Sequence, residues 1–221
     1  GAGTSDSSSG VVFYFEHGNS MIFSIGHDVE FFGCQNASVY RVSCNGGVIR
    51  DGHMEVSYVV SRLMGGSFQS CGALTSVSFE ANSRMRYIGT SIFASSGLKY
   101  LRLPASLTSI PAHGFRLVGN LVNVTFEGNS QLTYIGSSSF YDLNSLQHIT
   151  IPASVTRIDH LSFHSCGALT SVSFEPDSQL NYIGHYAFSY NEKLQSLRIP
   201  SSVTFMHDYS FMRVRSLTSF F

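Results

Sequence analysis

Apolar and polar residues alternate in one short pattern that recurs along most of the chain. Each unit opens with a leucine, and the residues three and five positions later are also apolar, as in LQHITI and LTSVSF. Because side chains alternate along a strand, those two residues point to one side and the residue between them points to solvent. The pattern therefore predicts one short strand in each unit. The opening leucines are Leu74, Leu98, Leu121, Leu146, Leu169, Leu194 and Leu217, at spacings of 24, 23, 25, 23, 25 and 23 residues.

Three further apolar positions follow each strand in register, and one of them holds only phenylalanine. A single unit cannot bury its own apolar side, so the units must stack and cover one another. Equivalent strands would then pair in parallel, at a spacing of about 4.8 Å. We predict a mostly β repeat solenoid with a parallel concave sheet and a central column of phenylalanines. The column consists of Phe68, Phe93, Phe115, Phe140, Phe163, Phe188 and Phe211.

Long and short units alternate, and different turn residues follow their strands. The residues concerned are Pro104, Pro152 and Pro200 in short units and Asn82, Asn129 and Asp177 in long units. Proline fixes φ, and Asn or Asp side chains hydrogen-bond nearby backbone, so both favour turns. Units of 23–25 residues leave little room for a helix on the convex side. We expect short strands or 3₁₀ turns there.

The segment LQHITIPASVTRIDHLSFHSC (Leu146–Cys166) resembles the BspA-like leucine-rich repeats, whose pattern is L-x-x-I-x-I-P-x-S-V-x-x-I-x-x-x-x-F-x-x-C. The resemblance extends over about residues 51–221. It implies a leucine-rich-repeat superhelix. Members of this family are associated with adhesion of microbes to host matrix proteins and to other cells. The resemblance therefore also implies an extracellular or cell-surface location.

The repeat pattern divides the chain into three parts. Residues 1–10 resemble a disordered leader or an expression remnant, and residues 11–50 are expected to form an N-terminal cap with a degenerate repeat. Residues 51–221 are the leucine-rich repeats of alternating 23 and 25 residues. The sequence stops as a new strand begins, so either the array is truncated or Phe220 and Phe221 close its end. An open strand edge predicts end-to-end self-association.

Composition and charge exclude several classes of function. Only 12% of the residues are charged and the net charge is −1, which disfavours binding to nucleic acid. No apolar run approaches the length of about 20 residues that spans a bilayer. The sequence contains no G-x-S-x-G, phosphate-loop, G-x-G-x-x-G or C-x-x-C motif. We therefore expect neither an enzyme nor a cofactor.

The four cysteines fall into two groups. Cys71 and Cys166 share one repeat position four units apart, so about 19 Å should separate them, too far for a disulfide. We interpret both as buried structural thiols. Cys34 and Cys44 lie in the expected cap and are a candidate disulfide, since leucine-rich caps of extracellular proteins often carry such bonds.

Three polar residues that precede the phenylalanine column by three positions leave two interpretations open. His160, His185 and Asp208 should stack on adjacent coils, where two imidazoles and a carboxylate could bind a metal. They could equally form a solvated ladder of turn residues. The second interpretation is preferred because no local metal motif supports the first.

The outward positions of the strands are where a binding surface can vary without disturbing the core. Tyr and Arg are the residue types most often found at binding hot spots. Tyr100 and Arg102 are therefore the first candidates for contact with a partner protein, although each could be an ordinary exposed strand residue. The further candidates are His148, Arg198, Lys99, Asn123 and Thr150.

These observations favour a protein-binding module that acts outside the cell or on its surface. The resemblance suggests adhesion to host or matrix proteins through the concave strand face. An architectural spacer or a self-assembling repeat segment without a dedicated ligand is the alternative. A metal-dependent site at His160, His185 and Asp208 is a third, weaker hypothesis.

Overall fold

The computed structural model describes residues 52–56, 58, 61–63 and 65–218, together with the backbone of four strands between residues 11 and 42. These four strands are β1 (Val11–Glu16), β2 (Ser20–Ile25), β3 (Asp28–Phe32) and β4 (Arg41–Val42). They form an antiparallel sheet in the order β3-β2-β1-β4. These strands pair antiparallel, whereas the strands of the repeats described below pair in parallel. The degenerate repeat expected in residues 11–50 stays a prediction. A capping role for this sheet stays a prediction.

The first strand series contains one strand from each repeat. It comprises β5 (His53–Val56), β7 (Ser76–Phe79), β9 (Tyr100–Leu103), β11 (Asn123–Phe126), β13 (His148–Ile151), β15 (Ser171–Phe174) and β17 (Ser196–Leu197). All ladders within this series are parallel. Exposed and buried residues alternate strictly in β5, β9 and β13, as the sequence pattern predicts. The outward side of this series is the concave face.

The second strand series supplies two residues from each repeat. It comprises β6 (Arg62–Leu63), β8 (Tyr87–Ile88), β10 (Ser109–Ile110), β12 (Tyr134–Ile135), β14 (Arg157–Ile158), β16 (Tyr182–Ile183) and β18 (Phe205–Met206). The strands from β10 to β18 form one continuous parallel sheet. The predicted short strands are therefore confirmed. No 3₁₀ helix occurs in the described part of the chain.

The remaining side of each coil is a run of turns that also bonds to the next coil. Around Phe140, the residues two positions before and after it, Ser138 and Asp142, have φ of 53° and 59°. These left-handed residues turn alternate amide groups along the solenoid axis, so that the Phe140 N–H donates to the Ser162 carbonyl at 2.8 Å. Consecutive coils are thus hydrogen-bonded on this side as well.

The predicted phenylalanine column lies at the centre of the solenoid. Neighbouring rings along all seven phenylalanines are 5.0–5.7 Å apart, and their planes differ by 1–14°. The first six of these phenylalanines are completely buried, and Phe211 is partly buried. Burial of one phenylalanine contributes about 1.5–3 kcal/mol, and an offset-stacked ring pair adds about 0.5–1.5 kcal/mol. The column is therefore a major source of stability for the array.

Hydrogen-bond ladders of the first strand series differ in length according to the order of short and long units. From a short unit to the following long unit, four residue pairs are in register, as between β13 and β15. From a long unit to the following short unit, only two pairs are in register between β7 and β9 and between β15 and β17. Each short unit therefore forms its longest hydrogen-bond ladder with the long unit that follows it.

Candidate functional site: the concave face and its cleft

The seven candidate contact residues all have exposed side chains on or beside strands of the concave face. Lys99, Tyr100 and Arg102 lie on or next to β9, and the Tyr100 side chain is 59% exposed. The parallel register places Asn123 beside Tyr100. The alternating pattern causes this arrangement, because the intervening residues of each strand point into the core. Their identity as contact residues stays a prediction.

The structure brings only some of these residues together. Asn123, His148 and Thr150 line one cavity on the concave face. Arg198 directly follows β17, two strands beyond the strand that carries His148. Arg198 is therefore separated from the group that the other candidates form.

The cavity lies where the first strand series is interrupted. Strands β11 and β13 lie next to each other, but each is the edge strand of its own sheet. The same two coils remain paired in the second strand series, where β12 and β14 share a ladder. On the turn side, the hydrogen bond from Phe140 to Ser162 also joins them. The two coils are thus hydrogen-bonded on two sides but not between β11 and β13 on the concave side. The gap between these two strands is the cleft.

The cleft has a volume of about 230 Å³ and a mixed lining. The buried side chains of Val124 and Ile149 contribute its apolar part. The exposed side chains of Asn123 and Thr125 contribute polar groups, and neither makes a side-chain hydrogen bond to any described residue. The cleft therefore offers amide and hydroxyl groups that are available to a ligand.

Strand β13 supplies two polar side chains that are already held by the next coil. His148 Nδ1 and Ser171 Oγ are 2.7 Å apart, and the hydroxyls of Thr150 and Ser173 are 2.9 Å apart. These contacts fix both side chains at the edge of the cleft. They leave His148 Nε2 without a hydrogen bond among the described residues.

Glutamates that follow the long-unit strands have a structural role that the sequence analysis missed. The carboxylates of Glu80, Glu127 and Glu175 each accept a hydrogen bond from a backbone N–H of the preceding short unit. For Glu127 the donor is Ala105, at 3.1 Å. The signal for this role was the recurrence of glutamate at one repeat position. These contacts reinforce the pairing of each short unit with the following long unit.

The two later glutamates differ in the charge that faces them. Arg102 Nε lies 3.6 Å from Glu127 Oε1, and the side chain of Glu127 is 27% exposed. Glu175 occupies the same position in the next pair of units, where it is exposed and lines the cleft. In the part of the chain with described side chains, no cation lies within ion-pair distance of Glu175.

The three candidate metal ligands are only partly brought together. The rings of His160 and His185 stack at 5.9 Å, as their predicted adjacency requires. The next coil presents the ring of His207 to His185, at 5.7 Å, and Asp208 joins no metal-binding group. No group of three or more His, Cys, Asp or Glu suited to a metal occurs among residues that the structure describes. The combination of His160, His185 and Asp208 is therefore not assembled.

The cysteines correct one expectation from the sequence. Cys166 is a free thiol in the core, and burial raises its pKa to about 12. Cys71, which we interpreted as a thiol, is disulfide-bonded. Its partner is not Cys166, so these two cysteines are not bonded to each other, as predicted. The predicted Cys34–Cys44 pair lies outside the described residues.

A hydrogen-bonded cluster lies on the second strand series, away from the cleft. The Tyr134 hydroxyl donates to Asp159 Oδ2 at 2.6 Å, and Arg157 Nη2 lies 3.3 Å from Asp159 Oδ1. Burial and this hydrogen bond raise the pKa of Tyr134 to about 12. Burial alone would raise the pKa of Asp159, but hydrogen bonds from Tyr134 and the His160 N–H, with the charge of Arg157, lower it. The cluster favours an ionised Asp159.

The structure contains no helix with the length and apolar character needed to cross a bilayer, as far as its described residues extend.

Parallel coils of about two dozen residues, with a leucine-opened strand on each, define a leucine-rich-repeat protein. The model of the BspA type leucine rich repeat region matches residues 53–170 and 115–221, in six copies. The chain belongs to this family. No curated protein matches the chain in sequence.

Among solved structures of bacterial proteins that are similar to the chain, one shares the fold at a TM-score above 0.5. The chain is similar to the pneumococcal vaccine antigen PcpA, with 19% identity and a TM-score of 0.63 over 90% of this chain and 58% of that protein. It therefore spans less than two thirds of that protein. A leucine-rich-repeat protein of T. pallidum has 19% identity and a TM-score of 0.46, over 65% of this chain and 79% of that one. A leucine-rich cell surface protein of Faecalibacterium prausnitzii has 16% identity and a TM-score of 0.32, over 95% and 88%.

Proposed function

We propose that this chain is a protein-binding module that acts outside the cell or on its surface, and that its concave face recognises a host or matrix protein. The proposal rests on one observation: all seven candidate residues are exposed on one face, and none of them belongs to the core. Repeat solenoids present such faces as extended binding surfaces. A surface of this kind can bind a partner without a catalytic centre.

Two further findings support the extracellular location. The antigen PcpA, which shares the fold, is described as a pneumococcal vaccine antigen, which agrees with a role at the bacterial surface. In addition, Cys71 is disulfide-bonded, and disulfides persist mainly in oxidising compartments such as the extracellular space. Both findings agree with the surface role associated with the family.

The side chains of β9 are the best candidates for the centre of the interface. Tyr100 offers a largely exposed ring, and Arg102 offers a guanidinium whose side chain is 70% exposed. Tyr and Arg dominate binding energy at protein interfaces. The ion pair of Arg102 with Glu127 is exposed, so removal of Arg102 costs the fold less than about 1 kcal/mol.

The test compares two double variants in binding to a panel of immobilised extracellular-matrix proteins. Tyr100→Ala with Arg102→Ala should weaken binding at least tenfold, because a hot-spot side chain contributes about 2 kcal/mol or more. The control is Tyr209→Ala with Lys193→Ala, in which Tyr209 is 58% exposed but lies away from the concave face. The control should bind like the unmodified chain. Equal binding by both double variants, or no binding by the unmodified chain, contradicts the proposal.

A further inference from the structure

Two consecutive pairs of units differ at one position in a way that points to a ligand. In the first pair, Glu127 accepts a hydrogen bond from the Ala105 N–H through Oε2 and faces Arg102 through Oε1. In the second pair, Glu175 accepts the equivalent bond from the Ala153 N–H at 3.0 Å. The position equivalent to Arg102 is occupied by Thr150, whose hydroxyl bonds to Ser173. The second carboxylate is therefore positioned like the first, but no cation of a described residue lies within ion-pair distance of it.

The space beside this carboxylate is the cleft between β11 and β13. Glu175 and Thr150 line it, and Asn123 and Thr125 add polar groups without hydrogen-bond partners among the described residues. The ring of His148 also lines the cleft, and its Nδ1 lies 2.7 Å from Ser171 Oγ. The lining is thus rich in oxygen acceptors, and it includes one carboxylate but no lysine or arginine.

The size of the cleft narrows the class of ligand. A volume of about 230 Å³ lies below the range of about 300–1,000 Å³ that is typical of pockets for free small molecules. The cleft therefore suits one side chain of a larger molecule. A guanidinium carries five donors in a planar fork, and its apolar stem can lie along apolar side chains such as Val124 and Ile149.

We propose that the cleft binds an arginine side chain of the partner protein, which takes the place beside Glu175 that Arg102 takes beside Glu127. This inference rests on the proposed function, because it names the chemistry of the partner that the concave face recognises. The arginine donates to the Glu175 carboxylate and to acceptors of Asn123 and Thr125. Arg102 and the cleft then recognise neighbouring parts of one partner.

The first test uses a capped tripeptide, acetyl-Gly-Arg-Gly-amide, and its citrulline analogue, which keeps the shape but has no charge. Backbone amide shifts in NMR spectra should change for residues 123–126 and 148–150 on addition of the arginine peptide. The citrulline peptide should bind about tenfold more weakly, because a charge-assisted hydrogen bond is lost. Equal shifts with both peptides, shifts elsewhere, or no shifts at all overturn the proposal.

The second test changes the chain. Glu175→Gln keeps an oxygen for the Ala153 N–H but removes the charge, and should weaken binding of the arginine peptide about tenfold. Thr150→Arg supplies the missing cation from within the chain and should abolish binding. The matched controls are Glu192→Gln, which alters another exposed ion pair, and Ser201→Arg, which adds a cation at an exposed turn. Thermal denaturation confirms that each variant is folded.

The matrix-protein assay separates failure of this inference from failure of the proposed function. One outcome is that Thr150→Arg binds the matrix protein like the unmodified chain while the Tyr100 and Arg102 double variant does not. In that case the inference of an arginine site is wrong, and the proposal that the concave face binds the partner stands. If neither variant changes binding, both proposals fail.

Discussion

Asn191 makes three hydrogen bonds to the backbone at a repeat position where other coils have different residue types. Its side chain is completely buried, its Oδ1 accepts from the Cys166 N–H, and its Nδ2 donates to the carbonyls of Phe163 and Phe188, all at 2.8 Å. Earlier coils place Cys166 and Leu143 at the same position. The amide thus satisfies three backbone groups that would otherwise lack a partner in the core.

Replacement of this amide should destabilise the chain measurably. Asn191→Leu keeps the volume but leaves buried backbone groups unsatisfied, and we expect a loss of about 2–4 kcal/mol in the free energy of unfolding. Urea denaturation followed by circular dichroism gives the value. Asn181→Leu, at an exposed position, is the control and should change stability by less than about 0.5 kcal/mol. Similar losses in both variants would refute this role.

Asp159 should make stability depend on pH in the acid range. Its pKa in the folded chain is lowered from the ordinary value of 3.8, so folding favours the ionised form. The resulting stabilisation is present above pH 3.8 and is lost as the pH falls through the lower pKa of the folded state. Melting temperatures measured from pH 2 to pH 6 should therefore fall more steeply below pH 4 in the unmodified chain than in Asp159→Asn. Parallel curves would show that Asp159 makes no such contribution.

At the scale of the element, each coil combines two short strands with a run of turns, and none of these is stable alone. Strands of two residues, such as β12 and β14, persist because the coils before and after them supply hydrogen bonds and cover their apolar side chains. The phenylalanine column joins these contacts along the axis. Loss of one ring therefore affects the coils on both sides of it.

Truncation of a central ring tests this dependence. Phe140 is completely buried between two stacked rings, and Phe140→Ala should cost about 3–5 kcal/mol. Phe205→Ala, whose side chain is 49% exposed, is the control and should cost much less. Chemical denaturation of both variants provides the comparison. A loss below about 1 kcal/mol for Phe140→Ala would contradict the energetic role of the column.

At the scale of the whole molecule, the concave sheet is divided into two blocks, β5 to β11 and β13 to β17. The second strand series and the phenylalanine column continue across the division. Bending about these continuous sides would widen or narrow the cleft without breaking the core.

Hydrogen exchange should reveal the division. Amides at facing edges of β11 and β13 have no ladder to protect them, so peptides spanning 121–126 and 146–151 should exchange faster than those spanning 98–103 and 169–174. Mass spectrometry of the exchanged chain measures the difference. Equal protection of all four segments would show that the concave sheet is continuous in solution.

The candidate site was predictable only in part. Alternation placed Asn123, His148 and Thr150 on the exposed side, because side-chain direction follows from the period of a strand. Their meeting at a cleft depends on the missing ladder between β11 and β13, which no local pattern encodes. Similarly, sequence offset placed Asp208 in the histidine ladder, whereas ring packing between coils placed His207 beside His185.

The amino-acid sequence by itself determined the coil length, the parallel stacking and the phenylalanine column, because a period of about two dozen residues leaves the apolar side of each unit only one way to be buried. Tertiary structure alone decided where the hydrogen-bond ladders stop, which glutamate meets a cation and which cysteine is oxidised. These outcomes depend on distances between neighbouring coils, and residues more than 20 positions apart in the chain set those distances.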